Sequence, residues 1–245
     1  LLAVNSINWT RIVGQICYYF YAYNRLANHQ NLNFSIPTGN FGNVFACYSA
    51  FKMGLPIKTI SVAVNDNDIL HRFFASNDYS KKQVHETISP SMDISVASNF
   101  ERLVYDFFLD RSTAQCAELF NNFPNQGIEL DEATWSKKNA LFSSSSVDDA
   151  ATRAIIQSIN NEHRYLLDPH TAVAMQEAIE ASSNTDHYVV LATAHPAKFP
   201  DIYKKLAIEL SETPKALKGL YDKTEYLHHF DANYDEITSF INSRN

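Results

Sequence analysis

A strand, a glycine turn and a helix in immediate succession constrain this chain more than any other feature. Leu32 to Ile36 reads as a short strand, Thr38 to Asn43 as a turn, and the residues that follow as a helix ending at Gly54. Such a unit points the first amides of its helix, which have no partner within the helix, out of the C-terminal edge of a sheet. With the positive end of the helix dipole behind them, those amides make a phosphate site. Gly39 and Gly42 are expected to let the backbone approach a ligand without a Cβ in the way and to take dihedrals that other residues avoid. Asn40 and Asn43 are expected to tolerate left-handed conformations and to add amide donors. The spacing is neither Gly-x-Gly-x-x-Gly nor a Walker loop, because no Gly-Lys-Ser/Thr follows. On this pattern alone an ordinary βα turn is the plain alternative.

At 245 residues the chain can bury a sizeable core, and 45% hydrophobic with 19% charged residues is the composition of a soluble globular protein. A net charge of −7 without a Lys/Arg cluster argues against a nucleic-acid partner. Cys17, Cys47 and Cys116 are widely spaced and odd in number, so neither a disulfide framework nor a cysteine zinc site is expected, and a reducing, cytoplasmic location fits. No apolar run approaches the ~18 residues of a membrane helix, and no secretory signal is read. The opening Leu1-Leu-Ala-Val-Asn5 lacks Met, so the chain is expected to be part of something longer.

Along the chain, Asn5 to Asn28 has helical periodicity, with Asn5 or Ser6 as its cap and Ile7, Ile12, Ile16, Tyr19, Phe20 and Tyr23 near one face. Thr59 to Val64 predicts a second strand, and Asn67 or Asp68 caps a helix through Phe74. An extended piece around Pro90 precedes an amphipathic helix from Ser98 to about Leu109. Asp110 to Asp148 is polar, with Pro124, Gly127 and the Ser143–Ser146 run, and reads as an inserted helical subdomain carrying a flexible serine stretch. Thr171 to Ala181 predicts a helix, His187 to Ala192 a buried parallel strand, and Asp201 and Tyr234 the starts of two more helices. Strands alternating with helices predict an α/β fold: an incomplete open twisted sheet with flanking helices, binding ligands beyond the strand C-termini.

Four patterns stand in order: Asn5-Ser-Ile-Asn-Trp-x-Arg11, Pro37-Thr-Gly-Asn-Phe-Gly-Asn43, Asp168-Pro-His-Thr-Ala-Val173 and Thr193-Ala-His-Pro-Ala-Lys-Phe199. Between them lie Ser89-Pro-Ser-Met-Asp-Ile94 and Asn99-Phe-Glu-Arg102. The ordered set closely resembles the threonine synthases, pyridoxal-phosphate enzymes of fold type II. The resemblance is weakest across 110–165 and after 205. It implies residues 1–109 as part of the cofactor-binding α/β core, 110–165 as a helical insertion, 166–205 as a return to the core and 206–245 as a C-terminal helical segment.

The resemblance further implies catalysis on O-phospho-L-homoserine, giving L-threonine and phosphate by γ-elimination and β-hydration. Gly39, Asn40, Phe41, Gly42 and Asn43 would cradle the phosphate of pyridoxal 5′-phosphate, and Thr193 would offer its hydroxyl to the ring nitrogen. Asn5, Ser6 and Arg11 would meet the substrate phosphate, a task suited to the planar arginine fork. The Schiff-base lysine that normally moves the protons lies in a Ser-Phe-Lys-Asp type motif, which nothing in these residues matches. Ala50-Phe51-Lys52-Met53 lacks the following Asp, so Lys52 reads as a solvated helix residue. The chain is therefore expected to be a C-terminal part, partnered by its own N-terminal half and the small-molecule substrate, as monomer or homodimer. Two other readings stay open: a related phospholyase releasing a 2-oxo acid and ammonia, and a non-catalytic phosphate- or cofactor-binding protein.

Other residues carry plainer expectations. His170 and His195 lack metal-ligand spacing and read as hydrogen-bonded structural histidines, and His228-His229 as a surface pair. Cys47 reads as a buried small residue and Lys198 as an exposed salt-bridge cation. The Tyr18–Tyr23 stripe reads as core or dimer contact.

Overall fold

A computed structural model describes residues 5–26, 32–182, 187–210, 214–220 and 222–244, in two compact units, Leu1–Glu209 and Leu210–Asn245. In the first unit helix α1 spans Trp9–Arg25. Its cap is Asn8, whose Oδ1 accepts from Thr10 N at 3.0 Å. The expected cap, Asn5, instead accepts from Ile7 N at 3.1 Å and folds a turn ahead of the helix. Ile7 is consequently exposed rather than on the buried face, while Ile12, Ile16 and Tyr19 are buried as the periodicity required. The tyrosine stripe divides, with Tyr19 in the core and Tyr18 and Tyr21 exposed. Residues 27 and 28 of the expected helix lie outside those described.

Strand β1 (Leu32–Pro37) leads through the glycine turn into α2 (Gly42–Lys52), then β2 (Ile57–Val64) and α3 (Ile69–Ser76). Gly54, at φ +98°, closes the end of α2 in a conformation that only glycine adopts at little cost. A long loop holds one 3₁₀ turn at Pro90–Met92. Helix α4 (Phe100–Leu103) then widens into a π-helical turn over Val104–Phe108. Next come α5 (Thr113–Gln126), α6 (Glu132–Trp135), β3 (Phe142–Ser146), α7 (Asp149–His163), α8 (Pro169–Ala181), β4 (Tyr188–Val190) and α9 (Pro200–Lys205). The second unit contains α10 (Tyr234–Asn242). No helix among the described residues is long and apolar enough to cross a membrane.

The four strands pair in parallel in the order β3-β2-β1-β4. Helix α8 packs on one face, and α2 and α3 cover the other. Side-chain alternation assigns the faces: Ser35 Oγ donates to the α8 carbonyl of Ala174 at 2.8 Å, whereas Ser144 Oγ meets Nδ1 of His71, on α3, at 3.0 Å. The α2/α3 side holds the apolar core, including Phe41, Phe73, Phe74, Phe100 and Phe108, with the Phe73 and Phe100 rings edge to face at 4.7 Å.

The serine run is the main departure from the sequence reading. It is β3, an edge strand of the sheet, and not a flexible stretch: Ile60, Ser61 and Val62 of β2 face Phe142, Ser143 and Ser144 across the ladder. Backbone pairing overrides the low strand propensity of serine, and most of its hydroxyls find a partner, Ser145 Oγ alone of the run being buried without one. Ser61 and Ser143 bond at 2.7 Å, and Ser146 donates to the carbonyl of Asn65 at 2.9 Å.

Ser35, Ser61 and Ser143 share one register across three strands, beneath the α8 carboxyl of Glu177. Glu177 is buried and its Oε2 has no partner. Burial pushes its titration up, and the Ser35 and Ser61 hydroxyls offset this only in part. A raised carboxyl holds its proton more tightly folded than unfolded, so its contribution is harmless in acid and becomes destabilising as pH rises from about 4.3 towards the folded value. Replacing it by Glu177→Gln should give a stability difference, variant minus wild type, that grows as pH rises above about 4.3 in denaturant unfolding. A difference independent of pH would contradict the buried-acid account.

Candidate active site

The turn between β1 and α2 is built differently from what two glycines suggest. Phe41, not a glycine, takes the left-handed conformation (φ 64°, ψ 7°) at the N-terminal cap of α2. That conformation costs a residue with a Cβ about 1–3 kcal/mol. Complete burial of the Phe41 ring, edge-on to Phe100 at 5.5 Å and stacked on Phe74 at 6.3 Å, contributes about 1.5–3 kcal/mol and offsets it. Gly39 and Gly42 are not at positive φ; they serve close approach. A Cβ on Gly39 would sit 2.8 Å from the Ser91 carbonyl oxygen, and one on Gly42 2.8 Å from Cβ of Ser6. The expectation that the glycines supply unusual dihedrals is therefore corrected: they let two other walls press against the turn.

The Phe41 side chain makes no capping hydrogen bond, so no side-chain oxygen of the cap covers the amides that begin α2. The first helical bond runs from Phe45 N to Phe41 O at 2.9 Å. Asn40 is exposed and Asn43 partly so, and Tyr19 OH donates to the Asn43 carbonyl at 2.6 Å, tying α1 to the first turn of α2.

A cavity of about 300 Å³ opens here. Asn5, Ser6, Arg11, Gly39, Asn40, Phe41, Gly42, Asn43 and Thr193 all line it, from three stretches far apart in sequence. Packing of α1 on α2 delivers Asn5, Ser6 and Arg11, and pairing of β4 with β1 delivers Thr193 just beyond the strand end. The cavity wall also includes residues given no binding role from sequence: Gln15, Ser91, Met92, His170 and Lys198. Gln15 follows Arg11 by one helical turn, a spacing that could have flagged it. Its Oε1 is buried without a partner. Lys198 is exposed and, among the described residues, forms no ion pair, so the expected salt bridge is replaced by a cation at the cavity rim.

Asp168 ties this wall together. Buried at 2% exposure, it caps α8 by accepting from the amides of His170 (3.0 Å) and Thr171 (3.3 Å). Thr171 Oγ1 donates to its second oxygen and in turn accepts from Thr193 N at 3.2 Å. Ser91 N donates to Nε2 of His170 at 3.1 Å, which places the ring proton on Nδ1, 3.2 Å from Asp168. Burial alone would raise the Asp168 carboxyl, but bonds from His170 and Thr171 carry it below its ordinary value. His170 is thus hydrogen-bonded as expected and also lines the cavity; His195 accepts from Ala197 N at 3.1 Å and does not. Cys47 is buried, and burial pushes its thiol up, away from nucleophilic use. Lys52 lies at the opposite end of α2 from the turn, 3.5 Å from Asp106. No cluster of metal-ligating side chains occurs among the described residues.

An open parallel sheet, helices on both faces and a helix N-terminus opening on a cavity at the strand C-termini make this the fold of the type II pyridoxal-phosphate enzymes. Within that class the chain belongs to the threonine synthase family. The family model "Threonine synthase, C-terminal" matches residues 171–241. A threonine synthase of Pseudomonas aeruginosa is 44% identical over 229 residues, covering 92% of this chain and 49% of the relative. A solved structure of a PLP-bound threonine synthase from Brucella melitensis superposes with a TM-score of 0.90 at 39% identity, covering 99% of this chain and 53% of the other. The yeast threonine synthase structure gives 0.84 at 34%, covering 98% and 53%. The chain spans about half the length of the curated relatives it matches.

Asp168→Ala removes a helix cap and strands the Thr171 hydroxyl and the His170 ring, so it should destabilise the protein by about 2–4 kcal/mol. Denaturant unfolding measures this, and a loss under about 1 kcal/mol would contradict the hub role.

Proposed function

We propose that this chain supplies the phosphate-binding side of a threonine synthase active site, acting on O-phospho-L-homoserine and water to give L-threonine and phosphate. The observation that carries the reading is the convergence of all nine sequence-singled residues on one cavity. Matches near half the relatives' length, and the lack of a Ser-Phe-Lys-Asp type motif here, support a further half that carries the cofactor-anchoring lysine.

The donor set fits pyridoxal phosphate. A dianion suits a helix start whose cap residue gives no side-chain oxygen, with the turn amides and the Asn40 and Asn43 side chains around it. Bound there, the cofactor supplies an electron sink for the substrate's α-carbon. Thr193 offers a neutral hydroxyl to the ring nitrogen, which does not hold that nitrogen protonated as a carboxylate would. Its backbone is fixed through Thr171 to Asp168, so the hydroxyl is presented from a braced loop. Arg11, Ser6 and Asn5 take the substrate phosphate. The planar fork of Arg11 can bond two phosphate oxygens at once, balancing charge as the group leaves.

In the complete enzyme, Arg11→Ala should lower kcat/KM for O-phosphohomoserine about 10- to 100-fold, since a hydrogen bond to a charged group is worth about 1.5–3 kcal/mol. Phosphate release and threonine formation are measured together. Phosphate without threonine, accompanied by a 2-oxo acid and ammonia, would replace the reading with that of a phospholyase, and an unaffected Arg11 variant would remove Arg11 from the site.

A further inference from the structure

The Asn99-Phe-Glu-Arg102 segment stands among the sequence patterns, yet none of its residues lines the cavity. Asn99 and Arg102 are nevertheless bonded to both halves of the site. Asn99 is completely buried. Its Nδ2 donates to Ser6 Oγ at 3.0 Å and to the Asn40 carbonyl at 3.0 Å, and its backbone N donates to the same carbonyl at 3.1 Å. Arg102 Nη1 donates to Asn99 Oδ1 at 2.9 Å, and Nη2 to the Ile7 carbonyl at 2.8 Å. The network leaves no choice of amide orientation. A guanidinium only donates, so Oδ1 must face Arg102, and Nδ2 must face the two oxygens.

Two consequences follow for groups on the cavity. The Asn40 carbonyl is held by two donors, and across a trans peptide the N–H of Phe41 then points the opposite way. Ser6 Oγ accepts from Asn99, so its own proton is left for donation. Gly42, whose added Cβ would lie 2.8 Å from Cβ of Ser6, closes the other side and restricts where the serine can go. A hydroxyl that accepts from behind and is confined from the side is a donor aimed by its surroundings.

We propose that Asn99, locked by Arg102, is a positioning residue that sets Ser6 as a hydrogen-bond donor to an anionic ligand and couples the substrate-phosphate side of the cavity to the glycine turn. This rests on the reading of Ser6 as an anion-binding group. Asn99 touches no ligand itself; it acts through Ser6 and Asn40.

The test is a double-mutant cycle on the complete, cofactor-loaded enzyme, with inorganic phosphate as the probe and titration calorimetry as the readout. Loading is checked by the cofactor's visible absorbance. Ser6→Ala is expected to weaken phosphate binding about tenfold, as loss of a hydrogen bond to a charged group does, and Asn99→Leu to weaken it by a similar factor. The double variant should be no weaker than the worse single variant within about twofold, because both changes remove the same donation. Multiplicative losses in the double variant would overturn the proposal. So would an Asn99→Leu variant that binds phosphate as tightly as wild type while Ser6→Ala does not. An unaffected Ser6→Ala would overturn the anion-binding reading beneath it as well. If Asn99→Leu does not fold, Arg102→Lys, which keeps the charge but loses the fork, is put through the same cycle with the same outcomes.

Discussion

The amides that open α2 lack partners within their helix, and the residue ahead of them contributes no side-chain oxygen. That arrangement explains why Phe41, of all residues, occupies the left-handed cap position. A polar residue there could turn its side chain back on the amides and fill the site from within. A phenylalanine cannot, and its ring is consumed by the aromatic core against Phe74 and Phe100. The same residue thus anchors the turn to the core and leaves the helix start to a ligand. Backbone strain at the turn is held in place by apolar burial on the far side.

The remaining walls are fixed by hydrogen bonds that converge on two buried polar residues. Asp168 joins the start of α8, the Ser91 turn and the Thr193 loop. Asn99 joins the segment before α1 to the glycine turn. Each hub satisfies groups from several loops at once, so the cavity is bounded by irregular backbone without leaving those groups orphaned. Gly39 and Gly42 permit the joins, because a side chain at either would push Ser91 or Ser6 away.

Much of this was legible in the sequence. The strand-turn-helix unit, both inner strands, the helix read from Thr171 to Ala181 and the one from Tyr234 follow from local periodicity, although the Asp168 cap that starts the former was not read. Ser143 to Ser146 was not, since its strand conformation comes from pairing with Ser61 and its neighbours far away in sequence. Asn5 was mistaken for a cap because Asn5 and Asn8 each satisfy a nearby amide, and only tertiary packing decides which one starts the helix. The roles of the glycines were misread for a related reason: a missing Cβ can serve dihedral freedom or close approach, and sequence does not distinguish them. The motif set told which residues belong together, but not that Asp168 and Asn99 hold them there.

A phosphate group seated on the amides at the start of α2 would change their magnetic surroundings more than those of any other backbone group. Amide chemical shifts followed on adding pyridoxal phosphate to the complete, cofactor-free protein test that seating most directly. The largest shifts are expected at Gly42, Asn43 and Val44, with a smaller change at Thr193. Cofactor binding that leaves those three amides unmoved, with its shifts gathered elsewhere, would contradict that placement.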